Sequence, residues 1–437
     1  MKRFIVILVA LSMLCCMLVS CSSTSALEES TSPSGTSGKT ATEDPIEITY
    51  WFNEDNEGTH AKMLLDRWEE YCGGRIKLNL EPIPANSYYD KLITAISTGT
   101  GPDVFLMWPS YLPTLVDMDA LVDLTDAFSD WEYMDEVSDT MLETAHGGYE
   151  ELYSFPRSAV VMYLYCRADM FEAAGLNYPT TMNEFYEACK ELTMDTNGDG
   201  TTDVYGFGMR GARNGNQMWS SFVFNAQPDG DYYDTEKQPQ MLKDEIIAAN
   251  QKYIEIYKNG WAPPTSPTDG FGEISQNFKS GVTAMLYHHI GSSAAMKDAL
   301  GENVVAVPVP ASEDGTRYGV MEVTNLGVNA ASQNQEAAIE FIQWLSSPEI
   351  QDIVCTELQQ VPWLESVQSM EKYSEDPFFA ASIDSLGFSH PVPTNAEFTP
   401  FSEEVWPQTF QRALTGEITS QEMMEVLQDT LTIKDTK

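Results

Sequence analysis

Along this chain, short runs with an apolar residue at every second position alternate with stretches whose apolar residues recur every three or four. Ile46-Glu47-Ile48-Thr49-Tyr50-Trp51 has the first pattern and predicts a half-buried strand. Thr59 then stands where a helix cap is needed, Leu64, Trp68 and Tyr71 share one helical face, and Gly73-Gly74 supplies the stop. Ile76, Leu78 and Leu80 return to the period of two. Strand, helix and strand in this succession make a βαβ unit, hence a parallel sheet covered by helices. Ligands of such sheets lie beyond the carboxyl ends of the strands, which is where Trp51-Phe52-Asn53-Glu54-Asp55 falls. Further on, Thr181-Met182-Asn183-Glu184 reads as a capping box opening a helix with Phe185, Ala188 and Leu192 inward. Another helix starts at Asn334, turns Ala338, Phe341, Ile342 and Leu345 inward and stops at Ser347-Pro348. The predicted class is α/β, in two lobes, because 437 residues exceed one ordinary core.

The N-terminus departs from this pattern. Lys2-Arg3 followed by an apolar run from Phe4 to Val19 is the arrangement of a secretory signal, too short for a comfortable membrane span. The run closes on Leu18-Val19-Ser20-Cys21, which resembles the lipobox of bacterial lipoproteins. That resemblance implies removal of residues 1–20 and lipid on the sulfur of Cys21. Residues 22–44 carry twelve Ser or Thr together with Pro33, Gly35 and Gly38. Residues 21–45 therefore read as a flexible tether with a reach of roughly 25–30 Å. The folded body is expected at the extracytoplasmic face of a bacterial cell membrane, held by its lipid.

Composition narrows the partners. A hydrophobic fraction of 43% excludes a disordered chain. Acidic residues outnumber basic ones 66 to 24, for a net charge of −42, and no basic run offers a local exception, so nucleic acid is excluded as a partner. Cys72, Cys166, Cys189 and Cys355 are widely spaced, without a CxxC pair for zinc or redox chemistry. Buried free thiols are the expected state for most of them.

Catalytic signatures are missing from the sequence: there is no GxSxG, no HExxH and no Walker A loop in the folded body. Gly206-Phe207-Gly208-Met209-Arg210-Gly211 matches GxGxxG, but a helix-breaking Ala-Arg-Asn-Gly-Asn follows, so it reads as a glycine-rich turn. Adjacent carboxylates such as Glu69-Glu70, Glu150-Glu151 and Glu403-Glu404 read as solvated helix faces in so acidic a chain. Asp195, Asn197, Asp199, Thr201 and Asp203, with Gly200 between, match the start of a calcium loop, although Gly206 stands where its bidentate Glu belongs. The same residues also suit an Asx-rich turn without an ion. A structural calcium ion is the one cofactor the sequence brings up. His288 and His289 are strand neighbours expected on opposite faces, which leaves His288 as a hydrogen-bonding candidate rather than half a metal site. Aromatic residues recur at loop positions with polar neighbours, as sugar sites require: flat faces for C–H surfaces, and Asp, Asn, Glu or Arg for hydroxyls.

Several stretches resemble the extracellular solute-binding proteins of bacterial ABC importers, in the branch that includes maltose-binding protein. They are Ser97-Thr98-Gly99-Thr100-Gly101-Pro102-Asp103-Val104; Leu152-Tyr153-Ser154-Phe155-Pro156 with Leu164-Tyr165-Cys166-Arg167-Ala168-Asp169-Met170-Phe171; Gly175 through Phe185; Asp195 through Gly208; and Phe278-Lys279-Ser280-Gly281-Val282-Thr283-Ala284-Met285. Val307-Pro308-Val309-Pro310 with Asn329-Ala330-Ala331-Ser332 completes the order. The resemblance implies a two-lobed periplasmic-binding-protein-like fold of type II, with one lobe from 46–165 plus 319–360 and the other from 166–318 plus 361–437. The chain would cross between lobes near Tyr165–Arg167, Pro308–Tyr318 and Gln359–Trp363. The resemblance carries over Asn53, Asp55, Tyr89, the Trp108–Tyr111 stretch, Trp219 with the loop before it, and the segment after Met285 as cleft positions. With the βαβ and aromatic readings, the candidate ligand-binding residues are Trp51, Asn53, Glu54, Asp55, Tyr89, Asp103, Trp108, Tyr111, Arg157, Asn216, Trp219, His288 and Trp363. Such a protein would be a monomer that binds a carbohydrate, an oligosaccharide in the first place, hands it to permease subunits and makes or breaks no bond. A cationic solute such as a polyamine is the rival ligand, since acidic clefts with aromatic walls hold amines. A secreted carbohydrate-active enzyme is the rival class.

Overall fold

A computed structural model describes residues 45–53, 61–395 and 397–432. Its strands are β1 (Ile46–Asn53), β2 (Ile76–Ile83), β3 (Val104–Met107), β4 (Phe155–Arg167), β5 (Tyr205–Gly208), β6 (Thr283–His289), β7 (Val304–Val307), β8 (Gly319–Val328) and β9 (Ser389–Pro391). They are hydrogen-bonded in the order β2-β1-β3-β8-β4-β6-β5, with β7 on β4 and β9 on β8. The expected βαβ unit forms. β1 and β2 pair in parallel from Ile46 opposite Ile76 to Asn53 opposite Ile83, and the helix Ala61–Cys72 crosses between them. That helix buries Leu64 and Trp68, whose indole N–H donates to the carbonyl of Ile76 at 3.1 Å. Tyr71 does not turn inward as expected. Its ring packs 5.5 Å from Trp68 while the residue stays half exposed, as an aromatic with a polar tip at a helix end does. Among the described residues no helix is long and apolar enough to cross a membrane.

A second parallel pair, β5 and β6, lies at the other end of the sheet. The capping box forms there: the Thr181 hydroxyl accepts from the Glu184 amide, and the Glu184 carboxylate accepts from the Thr181 amide. The helix it opens, Met182–Glu191, buries Phe185, Ala188 and Cys189. β5 runs so close beneath it that a Cβ at residue 206 would lie 2.1 Å from the carbonyl oxygen of Cys189. Gly206 thus serves helix-to-strand approach and Gly211 lies against the backbone of Ser266 and Pro267, while the next helix begins only at Asn216.

Between the two pairs runs β4, thirteen residues long, or roughly 43 Å of extended chain. Its first part, Phe155–Val161, pairs with β8; its second, Met162–Arg167, pairs with β6 and β7. The change of partner falls between Val161 and Met162, earlier than the expected crossing at Tyr165–Arg167, because the strand continues unbroken and only its neighbours change. A second difference concerns residues 361–366. Val361 bridges Ala159, Leu364 bridges Val137, and the Ser366 amide donates to Glu136, all in the first half, so the chain remains there beyond Gln359–Trp363. The four cysteines of the body are buried and unpaired with one another.

The close approach at Gly206 yields a stability test. Gly206→Ala forces backbone against backbone and should cost about 1–3 kcal/mol in urea denaturation. Gly272→Ala, inside the helix Phe271–Lys279 with nothing within 4 Å of the added carbon, should be neutral or stabilising by up to about 1 kcal/mol in the same measurement.

Candidate ligand-binding site

The two sets of strands end on one short stretch of β4. Val160 pairs with Glu322, Val161 with Met321 and Met162 with His289, so Glu322 of β8 and His289 of β6 stand two residues apart along one strand. β3 ends at Met107 opposite Asn325 of β8, which delivers Trp108 to the same edge. β5 ends level with Leu286 of β6, and Arg210 follows it by two residues. Carboxyl ends of both parallel pairs therefore converge on one cleft, as doubly wound sheets arrange their ligand sites.

The first wall is aromatic. Trp108 stands edge-on to Tyr88 at 6.0 Å and lies 5.5 Å from Tyr111, whose ring is 4.5 Å from Tyr89. Tyr88 locks this ledge to the sheet, its hydroxyl sharing one proton between the carbonyls of Leu106 at 2.6 Å and Trp51 at 3.0 Å. Burial, with Tyr89 and Asp90 nearby, pushes the Tyr111 phenol up to about 12, so it stays a neutral donor. A cavity of about 160 Å³ is bounded by Trp108, Glu322, Thr394 and Phe398. It shares Pro109 and Pro391–Thr394 with a second cavity of about 290 Å³, which Glu143, Asp231 and Tyr233 reach.

The second wall is polar around one exposed ring. Gln217 donates its amide to the Glu322 carboxylate at 2.7 Å, joining the helix Asn216–Val223 to β8. Phe271, 44% exposed at the start of the helix Phe271–Lys279, has its ring 4.1 Å from His288 and 5.2 Å from His289. The Arg210 guanidinium sits 5.9 Å over the same ring. The two histidine rings approach to 4.7 Å instead of diverging, because β6 ends at His289 and the chain turns into Ile290–Ser292. Burial pushes His288 well below the usual histidine range and His289 down to about 4, so both rings are neutral near pH 7.

A sequence model described as bacterial extracellular solute-binding protein matches residues 53–352. The chain belongs to that family. Three Brucella proteins match this solute-binding protein at 24% identity over 281 residues, 62% of its length and 64% of theirs. The mannitol-binding protein of Pseudomonas aeruginosa is 25% identical over 308 residues, covering 63% of this chain and 68% of that one. The sugar-binding protein MalE of Xanthomonas citri superimposes with a TM-score of 0.76 at 19% identity, over 88% of this chain and 97% of that one, and so shares the two-lobed fold.

The residues expected at the cleft of this solute-binding protein separate into three groups. Trp108, Tyr111 and Tyr89 form the ledge, and His288 lines the opposite wall. Asn53 ends β1, buried at the carboxyl edge. Others are structural. Trp219 is fully buried, its N–H donating to Asn250 at 2.8 Å and its ring packed on Phe224, Tyr232 and Trp406. Asn216 is equally buried, donating to the Tyr232 hydroxyl and accepting from Ser402. Trp363 is 1% exposed, against Phe155, with its N–H toward the carbonyl of Arg157 at 3.4 Å; Arg157 is itself buried on β4. Trp51 is covered by Lys91, whose ammonium lies 4.5 Å from its ring centre. Asp103 sits at the amino end of β3, away from the cleft, accepting from the Thr49 amide and the Ser332 hydroxyl. Glu54, Asp55, Cys21 and the cap at Thr59 lie outside the described residues.

The calcium reading of Asp195–Asp203 meets a turn that is already hydrogen-bonded. Asp195 accepts from the amides of Gly198, Asp199 and Gly200, Asp199 from Thr201, and Asp203 from Thr196 and Asn197. Among the described residues no three His, Cys, Asp or Glu side chains converge as a metal group. These are the bonds of an Asx-rich turn, and they leave the calcium expectation untested.

Arg210, Gln217, Phe271, His289 and Glu322 carry no motif that marks them in the sequence as cleft residues. Trp219 gives the sharpest test of the sorting. Trp219→Ala should cost about 3–5 kcal/mol of stability in urea denaturation; a normal midpoint with lost ligand binding would return it to the cleft.

Proposed function

We propose that this protein is the receptor of a bacterial ABC importer, anchored outside the membrane through lipid on Cys21, that closes on a saccharide and passes it unchanged to a permease. The observation that carries this reading is Trp108, packed in a ledge with Tyr111 and Tyr89, lining one cavity with Glu322, which is bonded to Gln217 beside Arg210. Rings take the C–H faces of a sugar, each good platform contributing on the order of 1 kcal/mol. The polar wall gives hydroxyls direction, since a polar group left unpaired in a closed cleft costs about 1–3 kcal/mol. Ligand held by both walls favours the closed form, and closure is what a permease can read. The mannitol-binding and sugar-binding relatives support the ligand class. Arg210 on the cleft wall weighs against a polyamine.

Calorimetry against saccharide, polyol and polyamine panels tests the reading. A saccharide should bind with one-to-one stoichiometry and be recovered intact. Trp108→Ala should weaken that binding at least about fivefold with the urea midpoint preserved, because the ring is half-buried and its loss opens no closed cavity. Binding of a polyamine alone, or turnover of the glycan, would defeat the proposal. For the anchor, Cys21→Ser should move the protein from the membrane fraction into the medium; unchanged retention would defeat the lipoprotein assignment.

A further inference from the structure

At the carboxyl ends of β5 and β6 the cleft narrows into a recess lined by Met162, Arg210, Met218, Phe271, His288 and His289. The free space within it holds about one water-sized group. Its polar groups are not used up by the fold. Arg210 donates one N–H to the carbonyl of Arg213 at 2.5 Å, while its buried Nε has no partner among the described residues. No carboxylate of the described residues lies at ion-pair distance from Arg210 or from Arg317, which lies over Phe388 outside this recess, whereas Arg67, Arg75, Arg167, Arg213 and Arg412 each have one. In a chain with 66 acidic and 24 basic residues, a mostly desolvated guanidinium without a carboxylate is an exception to the surrounding charge. Glu322 is near enough to favour the charged form, but its carboxylate is exposed to water and already accepts from Gln217. His288 is only 3% exposed; its Nδ1 shares a hydrogen bond with Ser292 at 2.8 Å, and its Nε2 is buried and unpartnered. The helix Phe271–Lys279 begins at the rim, adding the positive end of its dipole, with Glu273 of the first turn opposing.

We propose that this recess receives the carboxylate of an acidic sugar, a uronic acid unit of the bound saccharide, with Arg210 and Nε2 of His288 as its partners and Phe271 under the sugar ring. This rests on the saccharide-receptor reading and narrows it to a substrate class. A guanidinium fork matches the two oxygens of a carboxylate. In the tautomer with its proton on Nε2, the neutral ring of His288 accepts from the Ser292 hydroxyl at Nδ1 and donates from Nε2 as well. With room for about one water-sized group, the recess takes one carboxylate oxygen, while the rest of the group stays at its mouth and the sugar ring lies against the exposed Phe271. Negative charge elsewhere on the surface is no obstacle at this range, since screening cuts off exposed charges beyond roughly 8 Å at physiological salt.

Calorimetry on the full chain decides it, with digalacturonate, dimannuronate and glucuronosyl-xylobiose, each beside its carboxyl-reduced neutral counterpart, and a sulfated disaccharide as a further anion. At least one uronate should bind about tenfold or more tighter than its reduced counterpart. Arg210→Gln should bring that ratio toward one, and Arg210→Lys should keep part of it. A wild-type ratio near one, a preference for the neutral or sulfated sugar, or an Arg210→Gln protein that loses both members of the pair equally would overturn the proposal. The wild-type ratio is decisive even if the variants do not fold. Neutral sugars binding without acidic preference sink this proposal and leave the receptor intact; no saccharide binding at all sinks both.

Discussion

Every strand residue carries a backbone donor and acceptor that must be paired when buried, and β4 meets that demand with two different sets of neighbours along one unbroken length. Much of the architecture follows from this. Because β8 stops pairing at Val161 and β6 starts at Met162, the strands that belong to each neighbour terminate within a few residues of each other. Parallel strands present their loops and helix starts at their carboxyl ends, so two independent sets of loops face one another across β4. The cleft is then a consequence of pairing, and its walls need no segment designed to bring them together.

The same arrangement separates rigid from adjustable parts. Tyr88 ties β1 to β3 through two carbonyls, which fixes the ledge that Trp108 and Tyr111 build upon. The Gln217–Glu322 bond, by contrast, joins the helix Asn216–Val223 to β8 between exposed groups, where water competes and the net contribution is small. A ligand that touches both walls replaces such weak links with desolvated ones. The shift toward closure is then as large as the difference in ligand contact between open and closed forms, and no larger.

Local pattern was enough for the parts of the fold that local physics decides. The alternation at 46–51 and 76–80, the capping box at Thr181 and the helix from Asn334 all stand where the residues imply. Tertiary context decided the rest. Trp108 and Trp219 are both tryptophans near loops, yet one lines the cleft and the other fills the core. A signal was present: Met218, Trp219, Phe222 and Val223 make an apolar stripe too wide for a helix with a free face, and Gln217 alone in that helix escapes burial. Arg210 and Phe271 escape notice for a different reason. The carboxyl-end rule that selects Trp51–Asp55 applies equally to β5 and β6, but Arg210 sits inside a glycine motif and the parallel pairing of those strands is non-local. Crossing points moved because pairing partners, unlike strands, leave no mark in the sequence.

Charge acts at two ranges in this molecule, and they impose different limits. A net charge of −42 is a property of the whole surface; it repels a polyanion, whose many phosphates would each meet that field over a long contact. A single small anion in a recess is governed by groups within a few ångströms. There the histidine rings are neutral, Glu322 is hydrated, and Arg210 is the desolvated charge. Electrostatic interaction strengthens as water is removed, so the wall that matters most is the one that closure dries. The composition that repels a polyanion therefore leaves the sign of a small ligand open, and it is the Arg210 guanidinium at the end of β5, with no carboxylate at ion-pair distance and its Nε unpartnered, beside the unpartnered ring nitrogen of His288, on which the proposed acidic ligand rests.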